Sequence, residues 1–498
     1  MKTLHLSRII TFFTVFVMAI SFWIPAAETA DSFCDARENN NYKKLLECVT
    51  PDGVLRHLAE FQTIADANSG TRASGTAGYD ASAAYVASLM AAAGYDVTVQ
   101  EFSFDAFRRL DPSVLQQTTP GTVVYSEQID FNVAEFSAPG DVTAPVTSVD
   151  LQLGGISTSG CEASDFAGFP AGNIALMRRG TCTFRVKAEN AAAAGAAGAI
   201  IFNTGGGSSD LFTGTLSSGY TGGIPVFLAT YNRGTEWNGT PGLILQMDAN
   251  VSRTTVTTSN VIAEALGGRD DRVLVIGAPL DSAFYYLNSN SPGINNNGSG
   301  AAAILEIALM MKRVTPVNKV RFIWWGAEEE GRNGSDYYLI SLTTEELASI
   351  KLYLGFGAIG SPNFVRFIYD RDSAIENAIE AQFENIYTAL GVPYKSTSVF
   401  INASHFIDAG IPVGGLFTGN IGIKTAEEVT SFGGTAGIQY DPCYRLACDT
   451  YSNINQGVLD QNADAAAYAV IQNAMGSLPG KIKLKNKEIL NPSGLAVY

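Results

Sequence analysis

The chain has 498 residues, 46% of them hydrophobic and 16% charged, enough apolar material for two or three packed domains and too much for a disordered chain. Against 32 basic residues stand 48 acidic ones. The resulting formal charge of −16 repels nucleic acid and anionic lipid, and sets both aside as partners.

Residues 1–30 read as a signal peptide. Lys2 and Arg8 precede an apolar run from Ile9 to Ile24, and small residues follow from Ala26 to Ala30. Glu28 makes the cleavage site imperfect, and a permanent anchor stays open as the rival reading, although the run is short for a span. The expected address is extracellular or periplasmic, with no membrane attachment after signal removal. In such a compartment six cysteines imply disulfides. Proximity in sequence pairs Cys34 with Cys48, Cys161 with Cys182, and Cys443 with Cys448, while other connectivities and buried free thiols stay open.

Residues 53–94 carry the spacing of two helices, the second from about Gly78 to Ala93 and stopped by Gly94. A strand is expected at Asp96–Phe104. Between about 125 and 254 the texture changes to short strands rich in Gly and Thr, with one Ala-rich helix at Arg185–Ala197. Apolar runs at 273–278, 321–325, 352–356 and 412–417 then read as buried strands, separated or followed by helices near 299–313, 372–390 and 455–476. That alternation argues for an α/β fold with a mostly parallel sheet flanked by helices. The expected organisation is one α/β domain, 31–125 and 255–478, interrupted by a β-rich insert at 126–254, with a solvated tail at 479–498. The glycines at 205–207 open no helix after a strand, so they make a weak phosphate cradle.

Six stretches together resemble the two-zinc aminopeptidases of the aminopeptidase Y and Streptomyces leucyl aminopeptidase type. They are VLVIGAPLDS (273–282), PGINNNGSGAAAILEIA (292–308), WWGAEEEGRNGSDYY (324–338), IGSPN (359–363), AGIPVGGLFTG (409–419) and FGGTAGIQYDPCYRLACD (432–449). The insert, with GCEASDFAGFPAGNIALMRRGTCTF at 160–184, resembles a protease-associated domain. The resemblance implies a metallopeptidase fold whose chemistry uses two zinc ions, a bridging carboxylate and a glutamate general base.

Carried over residue by residue, the resemblance implies a site that has lost its metal. The first zinc-binding His of the family's AHLDS is Pro279 here, and the bridging Asp of GINDNGSG is Asn296. The Asp of NFDMIGSPN is Gly357, and the His of PCYHQACD is Arg445. Glu328, at the general-base position, and Glu329, at a ligand position, are retained, as is Asp281, which in the family orients the missing His. Proline, glycine and a guanidinium cannot ligate zinc, and an amide is a poor bridge between dications. No cofactor is therefore expected. Without metal, Arg445 is expected to pair with Glu329, with Glu328 as a second partner, or else to point into solvent.

Beyond the signal segment only His57 and His405 remain. His57 reads as structural; His405 reads as a bland histidine or, in a rewired site, as a ligand with Asp281, Glu328 or Glu329. No HExxH or GxSxG offers another hydrolase chemistry. Asn-x-Ser/Thr triplets at Asn238, Asn250, Asn297, Asn333 and Asn402 would accept glycans only in a eukaryotic secretory pathway. The expectation is a non-catalytic pseudopeptidase that binds peptides or a protein partner. The alternatives are a weak or rewired metal-dependent aminopeptidase and an ordinary two-zinc enzyme.

Overall fold

The computed structural model describes residues 32–205, 210–284, 290–371, 373–400 and 403–476. The expected signal peptide, the tail at 479–498, two of the three glycines at 205–207, and Asn402 lie outside the described residues.

Two eight-stranded sheets organise the chain. At the centre of the first, the strands Asn318–Trp325, Arg269–Pro279, Ile350–Phe356 and Val413–Phe417 run parallel to one another. Their side chains alternate between two cores, as the period of two in a strand requires. Leu274, Ile276 and Ala278 enter one core, and Val273 and Val275 enter the other. The first core lies under the helices Pro51–Ala67, Ser299–Met310 and Gln456–Met475; the second is built on Trp325, Tyr353 and Phe406. A sheet covered on both faces explains why these strands are apolar throughout.

The sheet's other ladders are partly antiparallel. Phe367–Tyr369 runs against Val413–Phe417, and Val251–Glu264 runs against Asn318–Trp325. The outermost strand, Asp96–Arg109, pairs with Val251–Glu264 over its whole length. It extends five residues beyond the expected Phe104, because its partner supplies hydrogen bonds that local sequence does not announce.

The insert carries the second sheet, parallel from Gly140–Ser148 through Ile174–Arg178 and Gly198–Phe202 to Val226–Ala229. This sheet also takes in Val114–Thr119, which pairs with Ile244–Ala249 on one side and with Val123–Tyr125 on the other. The chain therefore passes into the second sheet near residue 110, earlier than the change in composition near 125 suggests. Helices Phe184–Ala193 and Tyr231–Asn238 cover it. Gly234 lies against Phe202 with no room for a Cβ, which would sit 2.0 Å from the ring. Disulfides join Cys34 to Cys48, Cys161 to Cys182, and Cys443 to Cys448. No helix among the described residues is long and apolar enough to cross a membrane.

Candidate functional site

The loops that leave the carboxyl ends of the parallel strands converge, the usual place for a site in an α/β sheet. Pro279 ends its strand opposite Trp325, and Leu280 N donates to Trp325 O at 2.8 Å. Leu280 and the pair Pro292–Gly293 are tied together by a wholly buried arginine. Arg72 donates to Leu280 O at 2.6 Å, Pro292 O at 2.9 Å and Gly293 O at 2.6 Å, and its guanidinium lies over the Phe61 ring. Burial lowers its pKa to about 10, while Asp281 and Asp449 pull the other way.

Glu329 sits at the centre. Its Oε1 accepts from Asn296 Nδ2 at 2.9 Å and Asn297 Nδ2 at 2.6 Å, and its Oε2 accepts from Arg445 Nε at 2.7 Å. The Glu329 side chain is 7% exposed and that of Arg445 30%. Arg445 adopts φ +61° and lies beside the Tyr444 ring. The Asn296–Asn297 peptide is cis.

Two aspartates hold this arrangement from below. Asp449 accepts from Asn295 N at 2.8 Å, Asn296 N at 3.0 Å and Asn453 Nδ2 at 3.1 Å. Asp441 accepts from Asn295 Nδ2 at 2.6 Å and Asn453 Nδ2 at 3.0 Å. Burial raises the pKa of both.

Glu328 reaches the first turn of the helix Asn333–Ser341, where its partner is Ser335. Its Oε1 accepts from Ser335 N at 2.7 Å. Arg332, the residue that opens this helix, provides no side-chain cap, so the carboxylate of Glu328 satisfies an amide of the first turn. Glu328 Oε2 is buried without a hydrogen-bond partner. Desolvation pushes the group up to about 7, against the pull of Ser335 and Arg332. Asp281 is fully buried; its Oδ2 accepts from Glu329 N at 3.1 Å, and its Oδ1 has no partner. Desolvation, then the charges of Glu329 and Glu328, raise its pKa well above the ordinary value.

A third glutamate, Glu330, completes the turn. Glu330 pairs with Arg108, which comes from the long outer strand and also donates to Ser74 O. Ser74 Oγ in turn accepts from Ala327 N at 2.7 Å. Gly357 lies just past its strand, where a Cβ on Gly300 would be 2.4 Å from Gly357 O.

Of the sequence-derived site residues, Asp281, Asn296, Glu329 and Arg445 meet through these contacts. Neither histidine joins them. His57 lies between helices, with Nε2 3.2 Å from Glu306 and Nδ1 2.7 Å from Tyr85 OH. His405 has Nδ1 3.6 Å from Asp336 Oδ1, and its buried Nε2 has no hydrogen-bond partner. Arg72, Asn297, Asp441 and Asp449 were not foreseen as site residues. For the two aspartates the signal was present, since they flank the cysteine pair in DPCYRLACD.

The surroundings of Glu329 do not fit a zinc pair. Zinc takes lone pairs from imidazole, thiolate or carboxylate, whereas two amides and a guanidinium here direct hydrogens at the carboxylate. Among the described residues no three His, Cys, Asp or Glu side chains are grouped so as to hold a metal ion.

Residues 260–470 match Peptidase family M28, and residues 142–237 match the PA domain. With a parallel sheet whose strand ends carry the retained glutamates, the chain belongs to peptidase family M28 and contains a PA domain. It is 47% identical to an aminopeptidase of Pseudomonas aeruginosa, across 85% of this chain and 81% of that protein. It is 36% identical to leucine aminopeptidase 2 of Trichophyton rubrum, across 70% of this chain and 72% of that one. Its fold is shared by an aminopeptidase from Aneurinibacillus sp. strain AM-1, with a TM-score of 0.69 at 23% identity, covering 89% of this chain and 98% of the other.

Proposed function

We propose that this chain is an exported member of the M28 aminopeptidases that has given up zinc and peptide hydrolysis and keeps the cleft as a binding site for peptide ends or a protein partner. The observation that carries the reading is Glu329, the one family ligand retained, held by Arg445 at 2.7 Å and by the amides of Asn296 and Asn297. A guanidinium thus stands where the family places a dication. Pro279, Asn296, Gly357 and Arg445 occupy the other ligand positions, and Glu328 caps a helix from the general-base position. Three disulfides support export, since such bonds persist in oxidising compartments.

A second reading is a weak or rewired metal-dependent aminopeptidase releasing N-terminal residues. It is favoured by the identity to named aminopeptidases and by Glu328, whose partnerless oxygen and raised pKa of about 7 suit a general base. The two readings part on one sample. Purified mature protein is dialysed, its zinc is measured by plasma emission, and leucine anilide hydrolysis is followed with and without chelator. The expected result is no stoichiometric zinc and no hydrolysis. One zinc per chain with chelator-sensitive activity supports the rewired enzyme, and two zincs with such activity overturn the proposal.

A further inference from the structure

Arg445 stands inside a loop of six residues closed by Cys443 and Cys448. Both ends of that loop are tied to the buried interior: Asp441, two residues before it, and Asp449, directly after it, bond to Asn295, Asn296 and Asn453. Between these anchors the arch is held mainly at its base, where Cys443 N donates to Asp441 Oδ1 at 3.0 Å, Tyr444 N to Asp441 O at 3.1 Å and Asp449 N to Leu446 O at 3.0 Å. Leu446 N donates to Cys443 O at 2.9 Å across it, and Arg445 sits at φ +61°, a conformation that residues other than glycine rarely adopt. The three disulfides differ in access. Cys34 and Cys48 are 7% and 3% exposed, Cys161 and Cys182 are half-buried, and Cys448 is exposed.

From this geometry, and resting on the reading that Arg445 stands in for metal, we infer that Cys443–Cys448 is a redox latch that controls whether Glu329 is covered. The reductant is a dithiol. One of its thiolates attacks Cys448 Sγ; the sulfur–sulfur bond breaks, and Cys443 leaves as a thiolate that takes a proton. The second thiol resolves the mixed disulfide, so the reductant is oxidised by two electrons and both cysteines end as thiols. The opened arch relaxes Arg445 from its left-handed conformation, and the guanidinium, already partly exposed, withdraws from Glu329. Asp441 and Asp449 hold the flanks, so the change stays local and the rest of the cleft keeps its form. Reduction thereby turns a cleft closed by a cation into one that presents Glu329 Oε2 to a cationic ligand, while Asn296 and Asn297 still hold Oε1.

The test uses the intact mature protein under native conditions. It is titrated with dithiothreitol, its thiols are trapped with iodoacetamide, and its arginines are probed with phenylglyoxal, with both labels mapped by mass spectrometry. Cys443 and Cys448 should be alkylated at lower reductant than the other four cysteines. Arg445 labelling should rise several-fold at the same point, while buried Arg72 stays unlabelled. The double variant Cys443→Ser, Cys448→Ser should label at Arg445 like the reduced protein without any reductant. Reduction of this disulfide no earlier than the others, or Arg445 labelling that stays flat once it is reduced, overturns the latch. Zinc measured on the oxidised protein judges the reading beneath it separately, because the order of alkylation is read whether or not metal is present.

Discussion

The carboxylate of Glu329 is nearly buried, and burying a charge is tolerable only when donors surround it. Asn296, Asn297 and Arg445 are those donors. Removing the cation strands the anion, a loss of about 3–5 kcal/mol in a fully buried pair and well under 1 kcal/mol in an exposed one. With Arg445 30% exposed, the value falls between, at about 2 kcal/mol. Arg445→Met should therefore lower the melting temperature by a few degrees in a calorimetric scan. Adding Glu329→Gln should recover part of the loss, because no charge is then stranded. An unchanged melting temperature in the single variant would show that the pair contributes nothing. Pro279 has a related consequence. Asp281 Oδ1 lacks a partner at the place where the family resemblance puts a histidine, and desolvation, followed by the charges of Glu329 and Glu328, raises its pKa well above the ordinary value.

Among elements, the helix Ser299–Met310 approaches the end of the strand Ile350–Phe356 backbone to backbone. A Cβ on Gly300 would stand 2.2 Å from Phe356 O and 2.4 Å from Gly357 O, and neither carbonyl is the end of a flexible side chain. Gly300→Ala must push the helix off the strand and should destabilise the fold by about 1–3 kcal/mol, read as a lowered denaturation midpoint. Gly154→Ala, where nothing lies within 4 Å, is the control and should leave the midpoint in place. Equal midpoints for the two variants would mean that the close approach is not needed. The strands and helices of this domain were largely legible, because long apolar runs separated by amphipathic segments have few alternatives. The insert was legible as a unit but not at its entry. Val114–Thr119 and Val123–Tyr125 are short, and only the pairing of Val114–Thr119 with Ile244–Ala249, more than a hundred residues away, assigns the two to the second sheet.

Across the whole molecule, burial sets the response to pH. Glu328 is raised from 4.5 to about 7, and Asp281 and Asp449 are also raised, each chiefly by desolvation. Between the unfolded and folded values the native state binds protons that the unfolded chain does not. Stability therefore rises as pH falls from about 8 toward 5. Glu428 acts in the opposite sense. Desolvation pushes it up, but bonds from Thr425, Lys395 and Tyr440 bring it down to about 2, so its contribution is present above 4.5 and is lost as pH falls below that. Melting temperatures from pH 4 to 8 should thus peak near pH 5, and Glu328→Gln should flatten the rise on the alkaline side. A steady increase from pH 5 to 8 would contradict the assignment.

The sequence by itself determined the family and the order of the elements, and it supplied the residues that the family resemblance sets at ligand positions. It determined them because motifs and apolar periods are local, readable within ten or twenty residues. Local spacing also suggested the three cysteine pairs, which lie 14, 21 and 5 positions apart. Whether Arg445 met Glu329 or solvent was left open, since 116 positions separate them and only packing sets their distance. The same holds for Asn297 on Glu329 and for Arg72 on Leu280, Pro292 and Gly293. Each of these contacts joins segments at least 32 positions apart, and the packing of the fold, not any stretch of chain, brings them together.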